Sequence, residues 1–247
     1  SAASDVYKRQ VNPLLGTATL WETKDLGYER HLKTRTWGAE VFPGSSVPNA
    51  MVQLSPVTQF RSGAGYQYED TVIYGFSHTN KGHWNLLHLP VLPVTGNVSS
   101  GDYASTYSHS NESARPGYYQ VFLERYGVNA ELTSTLRCAY HKYTFRPDDD
   151  KKVLVDITRT NNGVRDWSIQ KVDDYTFSGN QDAEGNIRFY AVSNYKIEDI
   201  RQLKDGEHEV SVVSFADSKG SKPLELKIGF SFVSIDNAKM NLEQEMK

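Results

Sequence analysis

Between Val128 and Leu136 the sequence reads VNAELTSTL. Val128, Ala130, Leu132, Ser134 and Leu136 share one side of a two-residue period. Asn129, Glu131, Thr133 and Thr135 take the other. Only an extended strand sends successive side chains to opposite faces, so this run predicts a sheet with one face buried. Related runs recur along the chain. Met51–Ser55, Tyr66–Tyr74, Tyr118–Tyr126, Ala139–Phe145, Val153–Ile157, Ser168–Ser178, Ile187–Ser193, His208–Phe215 and Leu224–Val233 also read as strands. Turn residues separate them at Gly127, Pro147 to Lys152, Thr160 to Gly163, Gly179 to Asn186, Asp205-Gly206 and Asp217 to Pro223. Many short strands without long helical periods predict an all-β fold, a sandwich or a barrel. The strand spacing is too irregular for a propeller. The last stretch, SIDNAKMNLEQEMK, changes to helix formers, and Ser234 or Asp236 can cap its first turn.

Composition narrows the function classes. Among 247 residues the formal net charge is -3, so no basic excess exists to neutralise nucleic-acid phosphates. No apolar run approaches the roughly 18 residues of a membrane helix. The single cysteine, Cys138, excludes an internal disulfide and reads as a small strand residue. Aromatic residues make up 12% of the chain, which suits both strands and sugar binding. The PDDDKK run at Pro147 to Lys152 has three adjacent aspartates but no EF-hand pattern, so it reads as a solvated turn.

The densest punctuation lies between Pro43 and Gly96, where Gly, Pro, Ser, aromatics and His crowd short apolar runs. The segment from Gly75 to His88 carries His78, His83, His88 and Trp84. A long polar loop between two apolar strands points to function more often than to packing. The histidine interval of five fits neither helical nor strand spacing for a metal site, though loop geometry can converge such residues. His83 and Trp84 together offer a hydrogen-bonding group and a flat ring, which is what a sugar needs. Glu40, Glu69 and Asp70 are the carboxylates of this region. Glu69 and Asp70 are neighbours on an expected strand, so they face opposite ways and cannot flank one substrate as a hydrolytic pair.

Several segments here resemble the amino-terminal domain of glycoside hydrolase family 92, a family of calcium-dependent exo-α-mannosidases. They are VNPLLGT at Val11 to Thr17, PGSSVPNAMVQLSP from Pro43, GYQYEDTVIYGFSHT from Gly65, LPVTG from Leu92, SHSNESARPGYYQVFL from Ser108, AELTSTLR from Ala130 and SFVSIDNAKMNLEQE from Ser231. The resemblance implies a large two-sheet antiparallel β-sandwich of the galactose-mutarotase-like type over residues 11–233. Residues 234–247 then begin a linker helix toward a helical catalytic domain of the same chain. Residues 1–10, SAASDVYKRQ, lack an apolar signal core and fall outside the resemblance; they are expected to be a non-native or disordered tail.

The activity implied is hydrolysis of terminal α-mannosides from glycans with inversion, aided by calcium. Its acid, base and most calcium ligands belong to the helical domain, so no catalytic residue is expected in this stretch. The expected contribution is one wall of the sugar cleft, from His83, Trp84, His78, Trp21, Gly16 and Thr17. The family's Gly- and Ser-rich run after GFSHTH is replaced here by Asn80, Lys81, Gly82, His83 and Trp84, as a specificity element would be. The partner is a mannose-containing glycan, and a secreted, periplasmic or cell-surface location is implied. A stand-alone carbohydrate-binding sandwich without catalysis is the alternative reading.

Overall fold

The alternation in VNAELTSTL becomes geometry in β9 (Val128–Ser134), where every second residue is buried. Its partner β8 (Tyr118–Leu123) alternates in the same way and pairs antiparallel through Tyr119 with Leu132 and Leu123 with Val128. Gly127 closes the turn between them with φ of 62°, and its N–H donates to the Glu124 carbonyl. The computed structural model describes residues 11–19, 39–80 and 86–247.

Two antiparallel sheets face each other. The larger has eight strands: β12 (Asp166–Lys171), β13 (Thr176–Ala183), β14 (Gly185–Ser193), β17 (Leu224–Ser231), β10 (Cys138–Thr144), β9, β8 and β7 (Glu112–Arg115), in that spatial order. The smaller has seven: β1 (Ser45–Ser46), β2 (Gln53–Val57), β4 (Gly75–Ser77), β5 (Val91–Val94), β11 (Lys152–Val155), β16 (His208–Phe215) and β15 (Ile197–Asp205). A short ladder joins β3 (Val72–Ile73) to β6 (Ser105–Thr106). The core lies between the large sheets. Phe76 of β4 reaches across to Tyr119 and Tyr143, with ring centroids 6.5 and 6.3 Å apart. The expected two-sheet antiparallel sandwich with a terminal helix is what the chain forms.

Strand boundaries differ where polar residues sit in the ladder. Ser168–Ser178 is the hairpin of β12 and β13, turned at 172–175, where Val172 donates to the Thr176 carbonyl and Asp173 accepts from the Tyr175 N–H. Gly179 to Asn186 is mostly strand, not turn. Strand β15, IEDIRQLKD, breaks the hydrophobic signal entirely, because it is an edge strand with most side chains in solvent. Tyr66–Tyr74 is not one strand: Tyr68-Glu69 form a turn, and only Val72–Ile73 pair. The PDDDKK turn is solvated except at Lys151, which is fully buried with its ammonium donating to the Ser218 and Gly220 carbonyls.

The terminal helix α1 (Ile235–Glu245) is capped by the Ser234 hydroxyl, which accepts from the Asn237 N–H at 3.1 Å. It lies directly on β17. A side chain at Gly229 would place its Cβ 2.2 Å from the Ala238 carbonyl oxygen, so only glycine permits this approach. Asn241 donates to the Phe230 carbonyl at 2.7 Å, and Glu245 accepts from the Arg137 side chain at 2.5 Å. The helix is therefore tied to the eight-stranded sheet despite its small apolar face.

Candidate functional site

The two flanks of the segment after β4 pair with each other instead of standing open. His78 donates its N–H to the His88 carbonyl, Leu87 donates to Thr79, and Asn80 bridges Leu86. The stem is buried at His78, Thr79, Asn80, Leu87 and His88. His83 and Trp84 lie outside the described residues, as do Trp21 and residues 1–10.

His78 is fully buried, and its ring works within the chain. Its Nδ1 lies 2.8 Å from the Leu89 carbonyl, and its Nε2 lies 2.9 Å from Nε2 of His141 in the opposite sheet. A carbonyl only accepts, so Nδ1 of His78 carries the proton and its Nε2 accepts. His141 therefore donates through Nε2, and its Nδ1 accepts from the Tyr143 hydroxyl at 2.7 Å. One directed chain runs from Tyr143 through both imidazoles to Leu89. Burial pushes the His78 pKa down to about 3 and that of His141 well below the ordinary range. His78 presents no nitrogen to a ligand. His88 shares the Thr79 hydroxyl, 2.7 Å from its Nδ1, and burial lowers its pKa to about 4. Among the described residues no group of three or more His, Cys, Asp or Glu is placed to hold a metal ion. The calcium implied by resemblance thus finds no ligand set in the described part.

Leu89 has φ of 50° and is held at both ends. His78 takes its carbonyl, and the buried Gln181 side chain accepts from its N–H at 2.8 Å while donating to Ile157. Leu86 and Leu87 are also left-handed, at 66° and 64°. For leucine each such residue costs about 1–2 kcal/mol. Asn161 holds the other flank: its N–H donates to Leu86, its amide donates to Ser62, and its Oδ1 accepts from the Arg61 N–H at 2.7 Å. Arg61 and Glu40 are left-handed as well, and the Glu40 carboxyl lies against Gly63. Five of the seven non-glycine residues with positive φ among the described residues are these five: Glu40, Arg61, Leu86, Leu87 and Leu89. Such strain persists where surrounding contacts over-determine the backbone, and it concentrates at functional sites.

Gly16 and Thr17 sit on the adjoining loop. Gly16 is exposed, with φ of 85°, and its carbonyl accepts from Ala39 at 2.8 Å. Thr17 is buried, and its carbonyl accepts from the Tyr68 N–H. Glu69 accepts from the Thr19 N–H and hydroxyl, and Asp70 accepts from the Thr58 hydroxyl. Both carboxylates hold loops together in a turn, which replaces their expected places on a strand. Asn161 and Gln181 escaped the sequence reading because both lie in polar clusters taken for surface turns. Their partners are distant in the chain, and no local pattern reports them.

A sandwich with a strained, over-anchored rim at one end belongs to the class of β-domains that build sites on loops. The match to known proteins names the family. The model of the glycosyl hydrolase family 92 N-terminal domain covers residues 10–231, and the chain belongs to that family. A family GH92 α-mannosidase from Bacteroides thetaiotaomicron, solved with mannoimidazole, superposes with a TM-score of 0.81 at 26% identity. That match covers 96% of this chain and 34% of the mannosidase. An inverting GH92 mannosidase of the same species shares the fold, with a TM-score of 0.76 at 21% identity over 96% of this chain and 33% of its own. A curated relative, an uncharacterized secreted glycosidase from Arthroderma benhamiae, is 23% identical over 237 residues, 87% of this chain and 30% of its own. The chain thus spans about a third of the length of these relatives.

Proposed function

We propose that this domain forms one wall of the sugar cleft of an α-mannosidase that removes terminal α-mannosides from glycans with inversion. The observation that carries the reading is the convergence of Glu40, Arg61, Leu86, Leu87 and Leu89, all left-handed, around the stem of one hairpin. The core contacts of His78 and Gln181 fix that stem on both sides of the segment that carries His83 and Trp84 in the sequence. In this proposal exposed Gly16 and buried Thr17 add a second loop to the same wall, with Trp21 contributing from the sequence that follows. The imidazole of His83 hydrogen-bonds a sugar hydroxyl, and the Trp84 ring stacks on the C–H face.

The acid and base of an inverting reaction stand about 6.5–9.5 Å apart to admit a water. In this proposal they come, with the calcium ligands, from a helical domain of the same chain, because Glu69 and Asp70 are committed to threonine donors. The enzyme is proposed to act outside the cytoplasm. The test is Trp84→Ala in the full-length enzyme. The expected result is a fall in kcat/KM on α-mannosides of about 10- to 100-fold, with the thermal midpoint unchanged. A variant that loses stability and keeps its kcat/KM would overturn the assignment.

A further inference from the structure

Arg61 has a second neighbour besides the rim: a cleft of about 540 Å³ bounded also by Tyr74, Tyr103, Arg159, Glu207 and His208. We propose that this cleft is a second saccharide subsite, taking a neutral pyranose through a pair of adjacent hydroxyls.

The floor is built and charge-satisfied. Asp156 is fully buried, and its carboxylate accepts from the Tyr103 hydroxyl and from His208 Nε2 at 2.9 Å. Arg159 stands 3.8 Å from the same carboxylate and 3.3 Å from the Tyr103 oxygen. Tyr103 is itself pinned, since its carbonyl accepts from the Tyr126 hydroxyl at 2.7 Å. The volume lies within the roughly 300–1,000 Å³ of small-ligand sites.

The walls offer what a sugar uses. The Arg159 guanidinium lies against Phe60 and Tyr74, 4.5 and 5.4 Å from the ring centroids, which restrains the direction of its remaining donors. Tyr74 meets Phe60 edge-on at 5.8 Å and is only partly buried, leaving apolar ring surface for a C–H face. The Arg61 and Glu207 side chains, one donor fork and one acceptor fork, both line the cleft. Adjacent hydroxyls match such forks in pairs.

Charge decides against an ionic ligand. Arg61 and Arg159 are balanced by Asp156 and Glu207, while Asp102 at the margin is paired with Arg125 at 2.7 Å. An anion would face Glu207, and a cation would face the Arg61 and Arg159 guanidinium groups. A neutral polyol meets donors and acceptors in equal supply.

Binding is read on the 247-residue chain itself, so this inference stands or falls apart from catalysis and from Trp84. The chain is titrated with methyl α-mannopyranoside and with α-1,2-mannobiose, followed by saturation-transfer NMR and calorimetry. Saturable binding with a Kd on the order of 1 mM is expected. Arg61→Ala and Glu207→Gln should each weaken it about tenfold or more with an unchanged thermal midpoint, and added salt should change it little. Trp84→Ala should leave this binding intact. No saturation with either sugar, equal affinity in both cleft variants, loss in Trp84→Ala alone, or displacement by inorganic phosphate would each overturn the proposal.

Discussion

Acid should loosen this fold through its buried imidazoles, and the size of the effect follows from where they sit. His78, His141 and His88 are fully buried, and burial depresses all three pKa values, to about 3 for His78 and about 4 for His88. An unfolded histidine titrates near 6.5. The unfolded chain therefore takes up protons first, and stability is full above about pH 6.5 and falls as pH drops toward the folded values. From about pH 7.5 to about pH 5 His78 and His88 each remove about 2 kcal/mol by this linkage. Together they remove about 4 kcal/mol, a large share of the roughly 5–15 kcal/mol that holds a typical domain, and His141 acts in the same direction. Urea unfolding at several pH values measures the effect. His88→Gln, which drops one titrating ring, should shrink the loss over that interval by about 2 kcal/mol, whatever its effect at neutral pH. Parallel pH curves for the two proteins would refute the linkage.

Four further outcomes are expected. Gly229→Val drives a side chain into the Ala238 carbonyl and should cost about 1–3 kcal/mol, with α1 losing protection from hydrogen exchange before the sheets do. Glu112, whose carboxylate accepts from the Tyr66 and Tyr119 hydroxyls, should cost about 2–5 kcal/mol as Glu112→Ala, measured by thermal unfolding, because two buried hydroxyls lose their acceptor. Cys138 is buried and its thiol is pushed up to about 12, so a thiol reagent at mildly alkaline pH should label it only after denaturant is added. The chain alone should not hydrolyse an aryl α-mannoside in the presence of calcium; turnover abolished by Glu69→Gln or Asp70→Asn would contradict the assignment of catalysis to another domain.

The sheets were legible because burial alternates along them. In β8 and β9 the sequence pattern and the observed strands agree to within a few residues. Edge strand β15 was invisible for the opposite reason: a strand with solvent on most sides carries no apolar period. The rim was legible only as a dense loop with a purpose. Its mechanics rest on contacts such as Gln181 with Leu89 and Asn161 with Arg61, which join residues about a hundred positions apart or nearly so. A two-residue or four-residue period cannot encode such pairs. The histidine count was suggestive and its meaning was not: the His78 ring pairs with His141 across the core, a residue 63 positions away.

The last strand of the sequence occupies the middle of the larger sheet, between β10 and β14. A ribosome therefore delivers the two halves of that sheet first, β7 to β10 and then β12 to β14, each with a bare edge where β17 will lie. Roughly 90 residues separate the end of β10 from the end of β17, which at about 5–20 residues per second leaves that edge open for several seconds. During synthesis the nascent chain carries two complementary, unpaired β-edges, and β17 is the piece that closes both at once. Helix α1 can settle on Gly229 only afterwards, so its docking reports that the sandwich has been completed.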